Sequence, residues 1–250
     1  MLQAWRGKFA VREKGPADLV TEADLAAQNV IREVILGAFP DHDFLGEEDT
    51  SERSAAPNDG GNTSAFRWIC DPLDGTTNYV HGVPCYSVSV ALEHEGEIVA
   101  GAIFDPNRDE CFSAEKGSGA LLNGASMETS DVTRLDGALV AAGFGTQVTA
   151  ESLEVAQFLA VLPRCQAIRR IGSAALNLAN VACGRYDAYW VTAKPWDVAA
   201  GILLIQEAGG VVTGQDGGKL DINAPQLVAG ATPALHRELL EVVSPAIKSG

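Results

Sequence analysis

The chain has 250 residues, 46% hydrophobic and 20% charged, which is the make-up of a folded protein of one large domain or two smaller ones and excludes a disordered chain. Its 33 acidic against 18 basic residues give a net charge of −15, opposite to that of a phosphate-backbone binder, so no nucleic-acid partner is expected. No apolar run approaches the ~18–20 residues of a membrane span, and Met1 to Lys14 has no signal-peptide pattern, so no membrane partner is expected either.

In chain order, Asp18 to Phe39 is predicted as an amphipathic helix. Ala27, Val30, Ile31, Val34, Ile35 and Ala38 recur at helical spacing, Thr21 and Asp24 read as a capping box, and Pro40 ends the run. Residues 49–65 are rich in Ser, Asn, Gly and Pro and read as an exposed loop. Strands follow over Phe66–Cys70, Ser87–Leu92, Glu97–Phe104 and Cys111–Ala114, joined by turns so short that the strands should be antiparallel neighbours. The rhythm then changes. Strands at 139–142, 167–171, 186–191, 210–213 and 227–230 alternate with helices at 151–162, 173–183 and 197–208, and a last helix starts at Pro233. That alternation predicts an α/β half with a partly parallel sheet, separated from the first half near residues 130–138. Cys70, Cys85, Cys111, Cys165 and Cys183 are odd in number and form no C-x-x-C pair, which predicts a reduced, cytoplasmic chain without zinc or disulfides.

Residues 1–125 hold 21 acids against 9 bases, and residues 126–250 hold 12 against 9. Three features of this acid excess carry chemistry. In Asp71-Pro72-Leu73-Asp74-Gly75-Thr76-Thr77-Asn78 an apolar strand ends on one carboxylate, and a second follows three residues later. The amides of Gly75 and Thr76 open a short helix, where free N–H groups favour an anion. Carboxylates beside an anion site call for a divalent cation between them. Glu47 and Glu48 follow the apolar step Phe44-Leu45, and Asp197 opens the run Val198-Ala199-Ala200-Gly201. Singly, these are an Asp-rich turn, a solvated strand end and a helix cap. Together they supply four or five hard oxygen ligands, a set suited to Mg²⁺, and two such ions would serve to hydrolyse a phosphate ester. There is no P-loop, H-E-x-x-H, nucleophile elbow or EF-hand pattern, and the four histidines are scattered.

The segments Lys14–Asp24, Gly46-Glu47-Glu48, Asp71–Tyr79 and Trp196–Gly201 closely resemble the inositol monophosphatase family in order and spacing, from about residue 11 to the C-terminus. The resemblance implies a mixed α+β and α/β fold, a layered αβαβα sandwich with an antiparallel sheet in the N-terminal half and a mixed sheet in the C-terminal half. Residues 1–134 would carry most metal ligands, and 135–250 would add Asp197 and the substrate contacts. It further implies that Glu47, Asp71 and the Leu73 carbonyl hold one Mg²⁺, that Asp71, Asp74 and Asp197 hold a second, and that a weaker third can assist. Glu47 and Thr76 would orient and deprotonate the attacking water, and Gly75 and Thr76 would grip the phosphate. Gly172, Ser173 and Ala174 would contact the alcohol part, and Lys14, Asp24 and Glu48 would support the ligands. The implied activity is Mg²⁺-dependent hydrolysis of a small polyol phosphate, first of all inositol monophosphate, by a homodimer.

Two departures keep alternatives open. Trp190-Val191-Thr192-Ala193 stands where inositol phosphatases carry a Glu for ring hydroxyls, and Lys194 beside it suits a more anionic substrate or is simply a surface lysine. A histidinol-phosphate phosphatase, a 3′-phosphoadenosine or sugar-bisphosphate phosphatase, and a non-catalytic metal- or partner-binding member are the other readings. The stretch ahead of Lys14 is also shorter than the family's first helix.

Overall fold

A short helix, α1 (Leu2–Trp5), precedes an antiparallel hairpin of β1 (Val11–Gly15) and β2 (Asp18–Thr21). The computed structural model describes residues 2–5, 7, 11–15, 18–49, 64–145 and 147–248, with the side chains of 12–19 and 245–248 outside that description. The predicted loop over 49–65 therefore lies almost wholly outside the described residues, and so does the side chain of Lys14.

Helix α2 (Glu22–Ala38) starts four residues later than the apolar spacing predicts, because Asp18–Thr21 pairs with β1 instead. Thr21 is the N-cap, extended at φ −120° and ψ 164°. Its hydroxyl accepts the Ala23 N–H at 3.1 Å, and Asp24 accepts the Thr21 N–H at 2.8 Å, completing the expected capping box. The buried face matches the predicted one only in part, at Ala27 and Ile35. Ala23, Asp24, Ala27, Gln28 and Ile35 are buried, whereas Val30 and Val34 are 43% and 67% exposed. Polar partners beneath the helix make Asp24 and Gln28 cheaper to bury than their type suggests, so hydrogen bonding overrides the apolar stripe.

The first sheet has seven strands in chain order: β3 (Asp43–Gly46), β4 (Phe66–Asp74), β5 (Ser87–His94), β6 (Glu97–Asp105), β7 (Glu110–Glu115), β8 (Ala120–Leu122) and β9 (Ala125–Met127). Only the β3–β4 pair is parallel. Strand β4 does not stop at Cys70, as the proline suggests, but continues through Pro72. Asp71 lies opposite Ser89 and Asp74 opposite Ser87, so three steps on β4 face two on β5. That bulge absorbs the residue that cannot donate to the ladder. Helix α3 (Thr76–Val80) follows at once.

The second half contains β10 (Leu139–Ala142), α4 (Leu153–Val161), β11 (Ala167–Arg169), α5 (Ala174–Ala182), β12 (Ala188–Thr192), α6 (Pro195–Glu207), β13 (Val211–Gly214), β14 (Gln226–Gly230) and α7 (Pro233–Lys248). Each predicted element is present, its ends shifted by at most about two residues, the usual latitude of a helix or strand boundary. Helix α6 begins earlier than predicted because Pro195 is at home in a first helical turn. The sheet order is β11-β10-β12-β14-β13, with β10 parallel to β11 and β12 and the remaining pairs antiparallel.

Three apolar clusters bind the layers. Leu73, Tyr79 and Tyr86 pack with Ala23 and Ala27 of α2 on the outer side of the first sheet. Ile69, Ala91, Ile103 and Phe112 pack with α5, α6 and Leu227 between the sheets. Val140, Trp190 and Val228 pack with Val161 of α4 and Leu235, Leu239 and Val243 of α7 on the far side. The result is the layered α-β-α-β-α sandwich. All five cysteines are free of disulfides, and no helix among the described residues is long and apolar enough to cross a membrane.

Candidate active site

The bulge at the end of β4 places Asp71 and Asp74 where the first sheet meets α5 and α6. Asp71 is 2% exposed, and its Oδ1 accepts the Leu73 N–H at 2.9 Å. Glu47, in the turn after β3, is in hydrogen-bond contact with Asp71, and its own amide donates to the Cys70 carbonyl at 3.1 Å. Asp197, in the first turn of α6, accepts the Lys194 N–H at 2.8 Å.

Asp74 caps a helix that lies 100 residues away in sequence. Its Oδ1 accepts the Ala174 N–H at 3.0 Å, and its Oδ2 accepts from Ala175 N at 2.9 Å, from Ser87 Oγ at 3.2 Å and from the Ser173 hydroxyl. The first-turn amides of α5 thus meet a full carboxylate. Ser173 Oγ in turn accepts the Leu176 N–H at 3.2 Å. Ser173 and Ala174, expected at the substrate, are committed to Asp74 in this structure, and Gly172 beside them has φ +77°.

The structure brings Glu47, Asp71, Asp74 and Asp197 together, and their charges act on one another. Desolvation pushes the Asp71 carboxyl well above the usual carboxylate range, with the charges of Glu47, Asp74 and Asp197 adding to it. Desolvation raises Asp197 to about 8, aided by Asp74 and Glu47 and opposed by the Lys194 amide. It raises Asp74 only to about 6, because the hydrogen bonds from Ser173, Ala174, Ala175 and Ser87 hold the ionised form. Among the described residues no three His, Cys, Asp or Glu side chains form a ready-made metal cage. The donor set nonetheless fits a hard divalent cation: carboxyls from three parts of the chain converge, and the charges of the group repel one another.

Thr76 Oγ1 stands 3.1 Å from both Asp24 Oδ1 and the Leu73 carbonyl, with one proton to give. Asp24 is fully buried, and burial raises its carboxyl above the ordinary range against the hydrogen bonds from Thr21 and Thr76. Gly75 has φ +95°, and a Cβ there would lie 3.0 Å from the Cys85 carbonyl, so the position needs glycine twice over. Glu48 is buried, its amide bonded to Gln28 at 2.8 Å, and Lys194 is exposed at the start of α6.

Asn78 is legible in the sequence only as a motif letter. Its Nδ2 donates to the Cys85 and Ile171 carbonyls, both at 2.7 Å, and so ties α3 to two loops that border the site. Its place directly after the threonine pair is a signal only once the turn is known. In β12, Val191 is buried and packs against Gly143, where a Cβ would stand 2.4 Å from Val191 Cγ2. Thr192, half-buried, ends the strand.

A solved suhB extragenic suppressor protein from Bartonella henselae has the same fold, with TM-score 0.88 and 39% identity over 97% of this chain and 92% of that one. This likeness and the family match over residues 1–248 together make the chain a phosphoric monoester hydrolase. The sequence matches the inositol monophosphatase family over residues 1–248. An inositol-1-monophosphatase of Rhizobium meliloti is 41% identical over 94% of this chain and 86% of its own length, and the Nus factor SuhB of Pseudomonas aeruginosa is 39% identical over 95% and 87%. The chain belongs to the inositol monophosphatase family.

Proposed function

We propose that this protein hydrolyses a small polyol phosphate, with inositol monophosphate the first substrate, in a Mg²⁺-dependent reaction. The convergence of Glu47, Asp71, Asp74 and Asp197 carries this reading. Glu47, Asp71 and the Leu73 carbonyl would hold one ion, and Asp71, Asp74 and Asp197 a second. Bound Mg²⁺ supplies charge neutralisation on the phosphoryl oxygens and lowers the pKa of a water nearby. The chain does the rest. Thr76, held by Asp24 and the Leu73 carbonyl, orients the attacking water, and Glu47 takes its proton. The amides of Gly75 and Thr76 fix the phosphate in line. Gly172, Ser173, Ala174 and Lys194 border the alcohol part, and residues 1–134 and 135–250 act as the two halves that meet there. A homodimer, as the resemblance implies, belongs to this proposal.

The absence of a Glu from Trp190–Ala193, with Val191 buried in packing, favours a second reading, a phosphate ester without a ring of hydroxyls there. Phosphate release from inositol 1-phosphate, histidinol phosphate, fructose 1,6-bisphosphate and 3′-phosphoadenosine 5′-phosphate, with and without Mg²⁺, separates the two. Fastest turnover of the inositol ester supports the first, and preference for another ester supports the second. Asp197→Asn should lose nearly all turnover while the melting profile stays cooperative; full activity in that variant refutes the proposed ligand set.

A further inference from the structure

Asp24, Gln28 and Arg32 stand one turn apart on α2, and each grips a different part of the frame around the acid cluster. Asp24 holds Thr76. Gln28 Oε1 accepts the Glu48 N–H at 2.8 Å, and its Nε2 donates to Asp49 Oδ1 at 3.1 Å. Asp49 Oδ2 accepts the Gly46 N–H at 2.9 Å, closing the turn on itself. Arg32 pairs with the same Asp49 and lies 4.3 Å from the centre of the Phe44 ring. Glu47 sits in the middle of this four-residue turn.

The fit is close. Gln28 is 5% exposed, and a Cβ on Gly46 would stand 2.3 Å from the Gln28 amide oxygen. A buried primary amide is costly unless its polar atoms are paired, so an apolar residue would serve packing alone at least as well. What glutamine adds is direction: one atom accepts from the turn and another donates to it.

We propose that Gln28 is a positioning residue that fixes the Gly46–Asp49 turn and thereby the aim of the Glu47 carboxylate, setting the affinity of the acid cluster for its divalent cation. This rests on Glu47 being a ligand, as proposed above.

Gln28→Met keeps the volume and removes both hydrogen bonds. Gln28→Glu combined with Asp49→Asn exchanges donor and acceptor. In that double variant the carboxylate placed on α2 still accepts from the Glu48 amide, the amide placed in the turn donates to it while accepting from the Gly46 N–H, and Arg32, which loses its carboxylate at position 49, gains the new one four residues away on its own helix. Mg²⁺ alone, titrated into each protein by calorimetry, is the direct probe. Gln28→Met should weaken Mg²⁺ binding by about tenfold or more, and the exchanged pair should return to within about twofold of the parent. The Mg²⁺ needed for half-maximal phosphate release should rise in step, with KM for the ester at saturating Mg²⁺ nearly unmoved. Unchanged Mg²⁺ affinity in Gln28→Met, or an exchanged pair as weak as that variant, overturns the proposal. Should Gln28→Met not fold, Gln28→Leu, which also removes both hydrogen bonds, takes its place with the same criteria. A parent protein that binds Mg²⁺ but hydrolyses no ester refutes the proposed function instead, and the calorimetric comparison still decides the role of Gln28.

Discussion

Gly75 and Asn78 show how much one position carries. The left-handed conformation at Gly75 costs an L-residue ~1–2 kcal/mol, and the Cys85 carbonyl, 3.0 Å from where a Cβ would stand, crowds a methyl group. Gly75→Ala should therefore lose about 2 kcal/mol or more in urea unfolding, together with most turnover if, as proposed, the Gly75 and Thr76 amides grip the phosphate. Asn78→Ala removes two hydrogen bonds and leaves two carbonyls unpaired, an expected loss of about 1–3 kcal/mol with KM raised more than kcat is lowered. At this scale the acid motifs are readable in the sequence only in combination, since Asp71 and Asp74 taken alone read as an Asp-rich turn. Gln28 is not. Nothing in a helix spacing says which polar residue faces a turn twenty positions away.

Among elements, α2 and α5 teach different lessons. Apolar spacing places the inner face of α2 on Ala27 and Ile35, which are buried, but also on Val30 and Val34, which are exposed, and it passes over Asp24 and Gln28, which are buried. The spacing reports what could be buried, and only the partners below decide what is. For α5 the sequence puts Ser173 at the N-terminus correctly but cannot show that Asp74 joins it there. The acid cluster also sets a pH response in the metal-free protein. Asp74 and Asp197 have folded pKa values of about 6 and about 8, raised from 3.8, so their protonated forms favour the fold. Their contribution is complete below 3.8 and is lost as pH rises through about 6 and then about 8. Each carboxyl in its window gives a slope approaching about 1.4 kcal/mol per pH unit. Metal-free protein should therefore melt at a lower temperature at about pH 8.5 than at about pH 5, and added Mg²⁺ should raise the melting temperature far more at the higher pH. Scanning calorimetry with and without chelator checks both signs.

In the whole molecule, α6 is the piece on which the layers close. A Cβ at Gly101 would lie 2.9 Å from Ala200 Cα, and one at Gly201 would lie 2.4 Å from Leu178 Cβ, so α6 sits almost backbone-to-backbone on β6 and presses on α5. Gly201→Ala should cost ~1–3 kcal/mol by overpacking and reduce turnover as well, because Asp197 rides on the same helix; a lowered urea midpoint with unchanged kcat would separate the two effects and contradict the second. The change from hairpin to α/β rhythm makes the sandwich legible, whereas the common core between the sheets is not, since periodicity within a segment says nothing of which layer it meets. The capping of α5 by Asp74 has one more consequence. Glu47, Asp71 and Asp74 leave the ribosome long before Ser173 and Asp197, so a growing chain carries an unfinished acidic half until α5 and α6 have been made. With the proposed ligand set, hydrolytic competence would arrive late and at once, when those two helices dock, and a nascent chain stalled before residue 197 would be inert towards any phosphate ester.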